Sequence, residues 1–95
     1  MELLDADDIR SLVTETSREW GTLVATRREK LKISQADIAE LVGVSVMTIR
    51  RIESGDLVPR DRIRFALAHV LMVKVDDLFP YPSRERIAAT KVEAA

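Results

Sequence analysis

ISQADIAELVGVSVMTIRRIESGDLVP, residues 33–59, is the stretch on which the fold of this chain turns. Ser34 has the side chain of a helix N-cap, and Ile38, Ala39, Leu41 and Val42 follow it at helical spacing. Gly43 then supplies the backbone freedom that ends a helix. Ser45 repeats the cap at once, Ile49 and Ile52 are spaced to face a core, and Gly55 stops the second helix before the turn signal at Pro59. Two helices parted by about three residues must cross steeply, which leaves one side of the second uncovered.

The angular positions on that second helix separate two kinds of chemistry. With Val46 at zero and about 100° per residue, Val46, Met47, Arg50, Arg51 and Ser54 share one side, and Thr48, Ile49 and Ile52 share the other. The second side is branched and suits a core. The first carries two guanidiniums beside two apolar groups. Arginine can bond both O6 and N7 of a guanine, and Val or Met can pack on a thymine methyl. The same set holds no general base, nucleophile or metal ligand, so it fits base reading better than catalysis. The competing account, in which the arginines are only solvated and Val46 and Met47 pack on a neighbour, is outweighed by the tight turn that holds the helix out.

Before the motif, Asp5 to Val13 has acids near its start and Ile9, Leu12 and Val13 on one face, which predicts a short helix. Thr16 and Glu19 match a capping box, T-x-x-E, and predict a second, longer helix to about Lys32 with Trp20, Leu23, Val24 and Leu31 inward. Arg27 and Arg28 interrupt that stripe, so one of them is expected at the core edge with a partner. After Pro59, Ile63, Ala66, Leu67, Val70 and Leu71 mark a further helix. Val73, Val75, Leu78 and Phe79 extend the core through a last short one, broken by Pro80 and Pro82. From Ser83 onward the chain is Ala-rich and charged, with Ile87 and Val92 as its large apolar residues, and is expected to be a weak helix or disordered. Sustained period-2 alternation is absent, so no strand is predicted.

Composition narrows the function further. Ninety-five residues with 46% apolar content make one domain. There is no cysteine and only one histidine, His69, so neither disulfides nor thiolate or histidine-cluster metal sites are available. Glu29, Asp37 and Glu40 read as helix-surface acids without a pocket signature. No apolar run reaches the roughly 20 residues of a membrane span, and the N-terminus lacks the basic start of a signal peptide. A cytoplasmic protein is expected. The net charge of −1 hides a gradient: residues 1–20 hold six acids against two arginines, whereas residues 21–60 hold seven Lys or Arg against five acids. The basic excess coincides with the two-helix motif, where a nucleic-acid reader needs it.

Taken together these residues resemble the Cro and phage-repressor type of helix-turn-helix, the xenobiotic-response-element family of regulators. The resemblance covers about residues 21–79. It is carried by Ser34-Gln35, Ile38-Ala39, Gly43-Val44-Ser45, Thr48-Ile49, Glu53-x-Gly55, Pro59, Leu67-Ala68, Leu71 and Asp77-Leu78-Phe79. It implies an all-α fold, a compact five-helix lambda-repressor-like helix-turn-helix domain. To this the present sequence adds a short extra N-terminal helix and a weakly ordered C-terminal tail. The expected division is an acidic, helical extension at 1–16, the DNA-binding domain at 17–80 and the tail at 81–95.

By the same resemblance Val46, Met47, Arg50 and Arg51 read bases, with Arg50 nearer the phosphates. Ser34, Gln35, Ser45, Arg28 and Arg60 contact the DNA backbone, Gln35 either bonding a phosphate or supporting the reading helix. Arg28 and Glu53 occupy the positions of a family salt bridge that ties the first helix to the reading helix. Three positions depart from the family pattern. Lys32 and Met72 stand where Gly often follows a helix, and Arg60 stands where a small capping residue is usual, which frees it for a phosphate. The function implied is a sequence-specific, DNA-binding transcriptional regulator, a small bacterial or bacteriophage Cro-like repressor that binds a double-stranded operator as a homodimer, without cofactor or enzymatic activity. The alternative is an antitoxin-type regulator that binds a partner protein through its N-terminal segment or its tail. Leu3, Leu4, Ile9, Leu12 and Val13 equally suit a partner, the domain's own core or a dimer contact.

Overall fold

The computed structural model describes residues 4–82, in which five helices follow one another: α1 (Ala6–Lys30), α2 (Gln35–Val42), α3 (Val46–Ser54), α4 (Asp61–Val70) and α5 (Val75–Leu78). Each start has a local cause. Asp5 caps α1, its carboxylate accepting from the Asp8 amide at 2.9 Å while Asp8 accepts from the Asp5 amide at 3.2 Å, a reciprocal capping box built of aspartates. Ser34 and Ser45 cap α2 and α3 by accepting from the amides of Asp37 (3.0 Å) and Thr48 (3.1 Å). Gly43 and Gly55 close those two helices in the left-handed conformation, at φ 82° and 84°.

The first helix corrects the sequence reading. The extra N-terminal helix and the longer one are a single 25-residue helix, and Thr16 lies buried in its interior instead of capping a new start. A T-x-x-E pattern marks a start only where the preceding chain has reason to leave the helix. Here neither Gly nor Pro separates Val13 from Glu19, and continuing an existing helix gains one hydrogen bond per residue whereas a new nucleus is unfavourable. The expected boundary at residue 16 therefore falls within a continuous element. The expected tail is described only at Tyr81 and Pro82, and residues 83–95, like Leu3, lie outside the described residues.

The core gathers Trp20 and Val24 of α1, Ile38 and Ala39 of α2, Ile49 and Ile52 of α3, Leu67 and Ala68 of α4, and Leu71, Leu78 and Phe79. Leu41, grouped with the apolar face of α2, is instead exposed. Trp20 closes the far end of the core. Its indole N–H donates to the Pro80 carbonyl at 2.7 Å, Phe79 meets it edge-on at 5.4 Å, and the Arg64 guanidinium lies 5.2 Å from its ring.

One glycine sets the crossing that positions α3. A Cβ on Gly21 would stand 2.4 Å from the Ile52 carbonyl oxygen and 2.5 Å from that of Glu53. Only a residue without a side chain lets α1 lie this close to the last turns of α3, and Ser17, one turn earlier, donates its hydroxyl to the Gly55 carbonyl at 2.8 Å.

Candidate nucleic-acid interface

The Gly43-Val44-Ser45 turn projects α3 so that its two sides separate as the angular count predicts. Ile49 and Ile52 are fully buried, while Met47, Arg50 and Arg51 are exposed. Val46 is shared between the two environments: it is half-buried and packs against the core, so only part of its side chain remains for a ligand. Ser45 is engaged twice, by the Thr48 amide and by a 3.1 Å contact between the two hydroxyls, which stiffens the first turn of the helix.

Beneath this face runs a chain of polar contacts. Arg28 binds Glu53 through Nε to Oε2 at 2.6 Å and Nη2 to Oε1 at 3.0 Å, and its Nη1 donates to the Ile33 carbonyl at 2.9 Å. The two side chains are 12% and 8% exposed. The hydrogen bond to Glu53, helped by the charges of Glu53 and Glu29 and opposed by burial, raises the guanidinium above its ordinary value, so it stays charged at any working pH. Gln35 donates from Nε2 to Glu53 Oε1 at 3.0 Å and accepts from Arg50 Nε at 3.4 Å. The order Arg28, Glu53, Gln35, Arg50 thus leads from the buried ion pair out to the exposed face of α3.

All three Arg28 nitrogens are engaged within the protein, by Glu53 and the Ile33 carbonyl, with Glu29 Oε1 also 3.7 Å from Nη2, so a phosphate at Arg28 would have to compete with a buried carboxylate. Ser34 and Gln35 remain at the start of α2, where free amides and the helix dipole favour an anion. Arg60 is the N-cap residue of α4, is exposed, and makes no side-chain cap bond, leaving its guanidinium available. Lys32 and Met72 do close their helices left-handed, at φ 58° and 56°.

Sequence reading missed other supports. Arg27, the second interruption of the apolar stripe, donates from Nε to the Leu71 carbonyl at 2.9 Å and so ties α1 to the end of α4. Arg64 lies against Trp20, hydrogen-bonds Asp61, and donates to the Tyr81 hydroxyl at 3.4 Å. Arg64 and Asp61 are neighbours one turn apart on α4, but the contacts of Arg27 with Leu71 and of Arg64 with Trp20 and Tyr81 join residues far apart in sequence, and no local pattern announces them.

A short, capped, two-faced helix held out by a tight turn from a helical core is the reading element of a helix-turn-helix domain. The family model described as "Helix-turn-helix" matches residues 24–78, and the chain belongs to that family of DNA-binding transcription regulators. Among curated proteins, an uncharacterized HTH-type transcriptional regulator of Methanocaldococcus jannaschii is 38% identical over 53 residues, which are 56% of this chain and 80% of that protein. Among the described residues no helix is long and apolar enough to cross a membrane.

Proposed function

We propose that this protein is a small bacterial or bacteriophage repressor of the Cro kind, which lays α3 in the major groove of a two-fold operator and binds it as a homodimer. The observation that carries the reading is the exposed row Met47, Arg50 and Arg51 on a helix whose opposite face, Ile49 and Ile52, is fully buried. Arg51 and Met47 address base edges with the exposed part of Val46. Arg50, held by Gln35, sits at the border between bases and phosphates. Ser34, Gln35, Ser45 and Arg60 hold the sugar-phosphate backbone. A single reading helix covers only a few base pairs, so specific affinity at cellular salt calls for two half-sites about one helical turn apart. Such a protein works in the cytoplasm, on the nucleoid.

Selection of bound sites from random DNA at two salt concentrations tests this reading. The expected result is an enriched two-fold site whose affinity falls steeply with salt. Absence of enrichment at low salt overturns it. The antitoxin-type alternative draws on Ile9 and Val13, which are half exposed along α1, and a partner protein that co-purifies through that stripe would favour it.

A further inference from the structure

The N-terminal half of α1 presents an apolar stripe that the DNA reading does not use. Ile9, Leu12, Val13, Thr16 and Trp20 recur at helical spacing. Across from Leu12, Val13, Thr16 and Trp20 stand Val58 of the α3–α4 connection, Tyr81 and Pro82, and the two sides enclose a groove of about 210 Å³. Within it lies an incomplete polar group. Thr14 and Thr22 return their hydroxyls to the carbonyls four residues back, at 2.9 and 3.0 Å. Thr16 is 9% exposed, yet its hydroxyl has no partner among the described residues. A buried hydroxyl on an apolar wall points to an occupant that brings both apolar surface and a hydrogen-bonding group.

We infer that the occupant is this chain's own segment 83–95, with Ile87 as the side chain that enters the groove beside Val13 and Thr16. Three observations select it. Pro82 itself lines the groove, so the described part of the chain ends at its edge. A segment tethered there has an effective concentration in the millimolar range, on the order of what favours it over a free partner of equal intrinsic affinity. The reach is sufficient, because the five residues 83–87 extended span about 17 Å and the helical distance from Trp20 to Ile9 is about 16 Å. The charges agree as well. Arg84, Arg86 and Lys91 outnumber Glu85 and Glu93, whereas residues 1–20 carry six acids against two arginines. A second copy would bring two such acidic stretches side by side, which like-charge repulsion opposes.

The chain has no cysteine, so a disulfide probe reads the contact directly. The full chain carrying Val13→Cys together with Ile87→Cys is oxidised at low micromolar concentration, beside a control pairing Thr22→Cys, on the far side of α1, with Ile87→Cys. The expected product is a monomeric, intrachain disulfide that forms at least tenfold faster in the first variant than in the control. Concentration-dependent interchain disulfides would assign the groove to a second copy and overturn the proposal. Equal rates in the two variants would overturn it too. Independently, Ile87→Asp should lower the melting temperature by several degrees while the helical content stays, and an unchanged melting temperature counts against the contact. None of these readouts depends on DNA binding.

Discussion

Arg28 and Glu53 meet through two nitrogens and two oxygens at 2.6 and 3.0 Å, and this fork joins the last turn of α1 to the last turn of α3. Because both side chains are nearly enclosed, removing one charge leaves the other buried without compensation. Glu53→Gln should therefore destabilise the domain by about 3 kcal/mol, which for a chain of this size lowers the melting temperature by roughly 10 °C or more. Thermal and urea unfolding measure it. A midpoint within a degree of the parent would mean that the fork has no structural role.

The contact of α1 with α3 also depends on Gly21. Gly21→Ala puts a methyl against two backbone carbonyl oxygens, neither of which can rotate away, and the expected cost is on the order of 3 kcal/mol. Gly43 makes the useful comparison, since nothing lies near its missing Cβ and only its left-handed φ of 82° resists a side chain. Gly43→Ala should cost about 1 kcal/mol. Urea midpoints that rank the two variants in the opposite order would refute the steric account of Gly21.

Lys32 and Met72 hold left-handed conformations without the residue best suited to them. The strain, about 1 to 2 kcal/mol for an L-residue, exceeds the roughly 0.5 to 1 kcal/mol of extra chain entropy that glycine loses on folding. Lys32→Gly and Met72→Gly should each raise stability by about 0.5 to 1 kcal/mol. Calorimetry showing a loss in both would indicate that their side chains contribute more than the backbone strain costs.

Arg51 and Arg60 serve different purposes in the proposed complex, and their alanine variants should fail differently. Arg51→Ala is expected to weaken the selected operator by about 1 to 3 kcal/mol and to relax preference at one base pair. Arg60→Ala should weaken all sequences alike and reduce the salt slope by about one. Both residues are exposed, so neither change should alter the unfolding midpoint by more than about 0.5 kcal/mol. Identical sequence preferences in Arg51→Ala and the parent would remove Arg51 from base reading.

What could be read locally was read correctly around the motif. Ser34, Gly43, Ser45 and Gly55 mark the ends of α2 and α3 because a cap bond or a left-handed turn involves residues only a few positions apart. The two faces of α3 follow from its period alone. The Arg28–Glu53 pair was legible through family resemblance, since nothing in the 25-residue separation itself requires it.

The sequence by itself determined an all-helical domain, the position of its turn and the residues that α3 turns outward. Only the tertiary structure decided that α1 runs unbroken through Thr16, that Gly21 carries its crossing, that Arg28 faces inward while Arg27 fastens the end of α4, and that Gln35 links Glu53 to Arg50. The physical reason is the range of the interactions. Caps and helical periodicity act within a turn or two. A close backbone approach or a buried carboxylate instead selects its partners from residues that meet only once the core has formed.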